Sequence, residues 1–369
     1  MKDCSGCGTI SPNNENFMPK LDAPLQLSPV FKPKIWGRRD LSPVFSGAQE
    51  FLATDEPTGE AWLTDDNSRF LNGPPAGMTL VEAVGKYGPE LCGRAWSGRR
   101  FPILAKYIFT SDWLSVQVHP DDDYARQHDP GSSGKCEMWY IVQAARGARV
   151  LLGTKPGVTK ERFRAALELG KTREVLQSVQ PSAGEAYLIQ PGTVHALGPQ
   201  LILFEAEQNS DLTYRLDDFG RLGLDGKPRP LHVAKGLEVV RVDGRRERRL
   251  PKFAFSEPYG SRRYVVACRH FAVEEIMLRK RAAFHGSPER VEILTVLEGE
   301  GRVETSAGWM GYRTGETWLI PPATGRYRLV PGDKTRLLKA YVPDLEKDFR
   351  RPLLKRGKSA KQATRIVCD

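Results

Sequence analysis

Residues 113 to 142 decide the reading: Trp113-Leu-Ser-Val-Gln-Val-His-Pro120, an acidic loop, then Gly134-Lys-Cys-Glu-Met-Trp-Tyr-Ile-Val142. The stretch reads as two strands separated by a polar loop. Side chains alternate along a strand, so Leu114, Val116 and Val118 share one face and Ser115, Gln117 and His119 the other. In the second strand Lys135 and Glu137 share a face. Polar groups are thus offered inward on strands that otherwise look like core. Burying them is costly unless something pairs with them. A metal ion would satisfy an imidazole, a carboxylate and an amide together.

Around this stretch the composition is that of a globular chain. With 369 residues, 40% hydrophobic and 27% charged, it can bury a substantial core in two or three domains, and it is not a disordered polymer. No apolar run is long enough to span a bilayer, and the start lacks the apolar stretch of a signal peptide, so a cytoplasmic location is expected. Six cysteines, Cys4, Cys7, Cys92, Cys136, Cys268 and Cys368, are too scattered for a disulfide framework. Cys4 and Cys7 form a C-x-x-C with no second pair, inside what reads as a loose arm. Much of the net charge of +10 lies in Arg245-Arg246-Glu247-Arg248-Arg249 and in the tail from Lys355 to Arg365. Neither segment has interleaved aromatics, so a solvated linker and a solvated tail are expected, with no nucleic-acid or membrane partner.

Gly59-Glu60-Ala61-Trp62-Leu63 and Phe101 to Phe109 read as strands. Thr79-Leu80-Val81-Glu82 has the spacing of a capping box, starting a short helix through Tyr87. Thr159 to Gln177 predicts the longest helix, with Phe163, Ala166, Leu167 and Leu169 as its apolar side. Short strands and turns then dominate from Glu185 to Pro343. Residues 184–195 and 315–326 form an internal repeat: six of the twelve positions are identical, including Gly184/Gly315, Glu185/Glu316 and Ile189/Ile320. A fainter echo sets Trp139-Tyr140-Ile141-Val142 beside Ile293-Leu294-Thr295-Val296. The natural reading is two related β units. The second has Arg326 in place of His195 and is expected to hold no metal.

Gln117, His119, Glu137 and His195 form the candidate ligand set. Two imidazoles, a carboxylate and a neutral oxygen suit zinc, with manganese or iron as further options. The layout Gly184…Pro191-Gly192-x-x-His195 resembles the second motif of cupins. That resemblance implies a mainly β chain of two cupin-like double-stranded β-helix (jelly-roll) units with a small helical excursion. The expected organisation is an arm at 1–24, a metal-binding unit at 25–235, a metal-free unit at 236–345 and a basic tail at 346–369.

Three further pieces narrow the resemblance: Leu114-Ser-Val-Gln-Val-His-Pro-Asp-Asp122, Gly134-Lys-Cys-Glu-Met-Trp-Tyr140 and Pro191-Gly-Thr-Val-His-Ala196. With Asn209-Ser-Asp-Leu-Thr-Tyr-Arg215, they resemble the type I mannose-6-phosphate isomerases, most closely the bacterial short form. The resemblance covers roughly residues 35 to 343. Arg38-Arg39 and Thr64-Asp65-Asp66 depart from the family pattern.

The resemblance implies that Gln117, His119, Glu137 and His195 bind one zinc ion per chain and that Arg215 is the active-site arginine. It implies interconversion of mannose 6-phosphate and fructose 6-phosphate through a cis-enediol, with a sugar phosphate as the partner of a monomer or homodimer. Lys135 is a candidate for proton transfer or phosphate binding, against a lysine that reaches solvent. Ser115 is a candidate for the phosphate, and Arg215 competes with a surface arginine paired to Asp211 or Asp217. Glu205 and Glu207 are possible acid–base groups, and the general base is left open. Two other readings compete: a non-catalytic sugar-phosphate-binding module and a metal cupin of another class, such as an oxygenase.

Overall fold

The computed structural model describes residues 20–46, 56–98, 100–242, 244 and 249–368. Cys4, Cys7, most of the expected arm and Arg245 to Arg248 lie outside the described residues. The chain is mainly β and builds two sandwiches. In the first, a six-stranded sheet has the order Val30–Arg38, Thr58–Trp62, Ile103–Phe109, Leu201–Gln208, Glu137–Ala144, Ala186–Ile189. It faces a five-stranded sheet of order Tyr214–Asp217, Val116–Val118, His195–Leu197, Val150–Thr154, Leu176–Val179. Ile103–Phe109 and Leu201–Gln208 are buried along their whole length, because central strands of a sandwich are covered on both faces.

The second sandwich repeats the plan. Its large sheet runs Phe253–Glu257, Gly260–Ala267, Ala272–Leu278, Thr335–Tyr341, Glu292–Glu298, Thr317–Ile320, Leu25–Leu27. Its small sheet runs Ala282–His285, Arg326–Pro331, Glu300–Thr305, Gly308–Arg313. Six strands of the large sheets correspond one to one, and so do four of the small sheets. Among the described residues the Tyr214–Asp217 strand has no counterpart in the second unit.

The sequence repeat marks the same corner in both units. Glu185 accepts from Ser182 N at 3.0 Å and from Tyr187 Oη at 2.8 Å. Glu316 accepts from Arg313 N at 3.2 Å and from Trp318 Nε1 at 3.2 Å. The fainter echo needs correcting by one residue. The strand registers pair Glu137 with Ile189 and Glu292 with Ile320, so Trp139 corresponds to Leu294 and not to Ile293. A one-residue slip exchanges the two faces of a strand, and it concealed the buried Glu292.

Several expectations change in contact with the fold. The two strands of residues 113–142 lie in different sheets, Val116–Val118 in the small one and Glu137–Ala144 in the large one. The loop between them holds a helix, Asp122–His128, whose first turn is capped by the Asp121 carboxylate. The predicted long helix is only Lys160–Glu168; Gly170 turns the chain at φ +65°, and Thr172–Val175 leads into a strand at Leu176. The capping-box helix forms as predicted, Leu80–Tyr87 with both reciprocal bonds of the box.

The C-terminal segment is not a solvated tail. Leu345–Arg350, Arg351–Lys355 and Ala360–Ala363 are helical, and Phe349, Leu353 and Ile366 are fully buried in the main core. Its basic residues face outward while these apolar ones dock, a separation that charge counting misses. Leu25–Leu27, expected in the first unit, instead extends the second unit's sheet through Leu25 opposite Leu319. No helix among the described residues is long and apolar enough to cross a membrane.

Candidate active site

The four candidate ligands converge between the two sheets of the first unit. Gln117 sits on the small sheet directly opposite His195. His119 follows the same strand, and Glu137 begins the facing strand of the large sheet. The turn before His195 is held to His119: Gly192 N donates to the His119 carbonyl at 2.8 Å. Gly192 has φ +81°, and a Cβ there would lie 2.8 Å from the Val239 carbonyl oxygen. Only glycine suits that turn, and the turn delivers the second imidazole.

Both imidazoles have one nitrogen committed to backbone. His119 Nδ1 donates to the Leu212 carbonyl at 3.0 Å, and His195 Nδ1 to the Thr193 carbonyl at 2.9 Å. The neutral rings therefore turn their Nε2 lone pairs toward Glu137, at 3.4 Å and 3.3 Å from its two carboxylate oxygens. Outward Nδ1–H and inward Nε2 is how metal-binding histidines are oriented. Gln117 completes the ring of donors with its amide 3.1 Å from His195 Nε2; reversing the amide places its oxygen there.

His119 Nε2 and both Glu137 oxygens are fully buried and accept no well-directed hydrogen bond. Burying such atoms without a partner is costly, and a cation among them removes the cost. The ligand atoms of His119, Glu137 and His195 lie within 4.8 Å of one another. The residues present therefore fit a metal ion. Burial and the nearby Lys135 ammonium push the His119 pKa down to about 3, which keeps its ring neutral and able to ligate. Burial alone would raise the Glu137 carboxyl, but the Lys135 ammonium beside it outweighs burial and holds it ionised.

Residues 25–144 match the family model of the phosphomannose isomerase type I catalytic domain. The chain is 33% identical over 310 residues to a mannose-6-phosphate isomerase of Bacillus subtilis, spanning 83% of this chain and 95% of that one. The chain belongs to the type I phosphomannose isomerase family. It is also 30% identical over 302 residues to a mannose-6-phosphate isomerase of Streptococcus mutans, spanning 81% of this chain and 92% of that one. A crystal structure of the Bacillus subtilis mannose 6-phosphate isomerase superposes with a TM-score of 0.79 at 28% identity, covering 86% of this chain and 99% of that one.

In this member of the family, the charged network behind the ligands is the part the sequence showed least. Lys135 is buried, and its Nζ lies 3.1 Å from Glu137 Oε2 and 3.0 Å from Glu207 Oε2. The solvent-reaching lysine is thereby replaced by an internal cation. Lys106, to which no role was given, is buried between Glu205 at 2.8 Å and Glu207 at 3.2 Å. A lone lysine inside the apolar run Ile103-Leu-Ala-Lys-Tyr-Ile-Phe109 was the available signal. Burial, with Glu137 close by, pushes Glu205 well up; burial also raises Glu207. Trp139 closes the floor, with its Nε1 donating to Glu205 at 2.8 Å and its ring 5.4 Å from His195.

Arg215 lies directly opposite Gln117 in the small sheet, so its side chain shares that residue's face. Its Nη1 donates to the Pro230 carbonyl at 2.9 Å. Among the described residues it forms no ion pair, so the pairing with Asp211 or Asp217 is absent. Ser115 is buried two residues before Gln117. Thr64, at one departure from the family pattern, bridges the Ile103 carbonyl and Ala105 N at 2.8 Å each, which is a packing task.

Proposed function

We propose that the protein is a metal-dependent aldose–ketose isomerase that interconverts mannose 6-phosphate and fructose 6-phosphate through a cis-enediol. Gln117, His119, Glu137 and His195 would hold one zinc ion. The observation that carries this reading is the cluster of buried donor atoms of His119 and Glu137 that accept no well-directed hydrogen bond, joined by Nε2 of His195. When bound, the ion supplies a Lewis acid for the sugar carbonyl and hydroxyl oxygens.

The reaction moves a proton from C2 to C1 and another from one oxygen to its neighbour. The chain's own groups divide that work. Arg215 stays cationic at any working pH and stabilises the negative oxygen of the enediolate or holds the phosphate. Lys135 is held above its usual pKa range, where the pull of Glu207 and Glu137 outweighs burial, so it acts as a fixed ammonium and not as the base. Glu205 and Glu207, whose carboxyls burial raises above the ordinary range, are the candidates for exchanging protons. Ser115, on the His119 strand, is assigned to the phosphate.

The test is conversion of mannose 6-phosphate to fructose 6-phosphate by purified protein before chelation, after it, and after zinc is restored. Turnover should follow metal content. No turnover at full loading would overturn the reading, and saturable binding without product would replace it by a sugar-phosphate-binding module.

A further inference from the structure

The Tyr214–Asp217 strand carries Arg215 at the edge of its sheet, so one side of its backbone has no neighbouring strand. The ladder on its other side is also weak there. Arg215 pairs with Gln117, but the next pairing is Asp217 with Val116, leaving Leu216 as a bulge. An edge strand that bulges beside the residue it must aim needs another support.

That support is the segment Pro230 to His232. His232 N donates to the Arg215 carbonyl at 2.7 Å. Arg215 N donates to His232 Nδ1 at 3.2 Å. The Pro230 carbonyl accepts from Arg215 Nη1 at 2.9 Å. Three bonds thus grip the backbone donor, the backbone acceptor and the side chain of one residue. Arg215 Nε is buried and without a hydrogen bond, so the grip leaves that edge of the guanidinium uncommitted.

The clamp is itself anchored. His232 immediately precedes the helix Val233–Val239. Gly236 of that helix lies so close to the Arg215 strand that a Cβ would meet Leu216 Cδ2 at 2.2 Å.

Resting on the isomerase reading, we infer that His232 is a positioning residue: its neutral imidazole, accepting from the Arg215 backbone, sets where the Arg215 guanidinium stands on the sheet face that carries Gln117. The bond requires an unprotonated Nδ1, hence the Nε2–H tautomer. Protonation would set an N–H against an N–H and release the strand edge. The charged and titratable groups around the ring are Arg215 on the strand, Lys235 on the following helix and Asp129 at the end of the helix Asp122–His128. The Tyr214 ring lies 6.2 Å away. Burial, then Arg215 and Lys235, lower the His232 pKa against the opposing pull of Asp129, so the clamp holds at neutral pH.

The experiment compares metal-loaded wild-type protein with His232→Phe and His232→Asn across pH, using mannose 6-phosphate. A misplaced catalytic group costs roughly ten- to a hundredfold in kcat, and His232→Phe should show that loss with unchanged metal content and a smaller change in KM. Asparagine offers a carbonyl oxygen to the same N–H but does not titrate. His232→Asn should therefore recover most of the rate and move the acid limb of kcat to lower pH. Wild-type kcat in His232→Phe, or an unmoved acid limb in His232→Asn, would overturn the inference. A second measurement needs neither turnover nor a variant: nitrogen chemical shifts of His232 at neutral pH should show the Nε2–H tautomer, and a protonated Nδ1 would overturn the clamp. A wild-type protein inert toward mannose 6-phosphate defeats the isomerase reading, whereas the tautomer decides the clamp by itself.

Discussion

In the first unit Lys106 stands opposite Glu205 across two central strands; in the second, Glu274 stands opposite Lys339 at the corresponding place. The pair is the same with its charges exchanged. Glu137 and Glu292 occupy equivalent positions, and Tyr341 stands where the first unit has Glu207. Around Glu137 the first unit gathers three carboxylates, Glu137, Glu205 and Glu207, against two ammonium groups, Lys106 and Lys135. Around Glu292 the second gathers two carboxylates, Glu274 and Glu292, against Lys339 and Arg262. Tyr327 supplies a hydroxyl to Glu292 at 2.9 Å, and Tyr341 another to Glu274. The first cluster keeps buried acceptors that receive no well-directed hydrogen bond, whereas each carboxylate of the second receives a tyrosine hydroxyl.

The surroundings follow the same division. Beside the second cluster, apolar residues including Leu294, Trp318 and Leu337 leave a residual void of only about 10 Å³. The first unit has in addition the Tyr214–Asp217 strand, and with it Arg215. The difference teaches that one sheet plan tolerates a buried charged cluster in two ways. It can close the cluster on itself, or leave buried ligand atoms that a cation would satisfy.

The largest way to break this comparison is to remove a ligand. His195→Ala should lose the metal and lower kcat/KM by on the order of 10³-fold, read by metal analysis beside the isomerase assay. Retained metal would remove His195 from the ligand set. Next, Arg215→Ala should keep the metal and lose about 10²-fold in kcat. Normal turnover would leave that residue without its assigned role.

In the second unit the effects should move from rate to stability. Lys339→Met leaves Glu292 and Glu274 short of a buried cation, so about 3–5 kcal/mol of stability should go in denaturant unfolding, with metal content and kcat unchanged. A loss of metal in that variant would mean that the two clusters are coupled. The smallest effect concerns acid. Burial alone would raise the Glu274 carboxyl, but Lys339 and Arg262 lower it to about 2 from an ordinary 4.5. A depressed folded-state pKa stabilises fully above the unfolded value and is lost as pH falls toward the folded one. Stability should therefore decline between pH 4.5 and 2, and Glu274→Gln should flatten that limb.

The sequence carried much of the first cluster and little of the second. Strand parity set Gln117 with His119 and Lys135 with Glu137, because alternation is local, while His195 joined them through the resemblance of its Pro191-Gly192 turn to a cupin motif. Lys106 was not legible as part of the site: what makes it internal is its register with Glu205, a contact between strands far apart in sequence. The one-residue slip in the fainter repeat had the same origin, since no local feature tells Glu292 from a surface glutamate. The tail misled for a related reason, as its basic residues outnumber Phe349, Leu353 and Ile366 while those three decide where it lies. His232 was invisible because its partner is a backbone N–H.

The central claim is that the first unit, and not the second, needs an added cation to work. It is tested most directly by titrating zinc into chelated protein while following both bound metal and formation of fructose 6-phosphate from mannose 6-phosphate. Activity should rise in proportion to occupancy and saturate at one ion per chain. Full activity in metal-free protein, or saturation only after a second ion has bound, would contradict it.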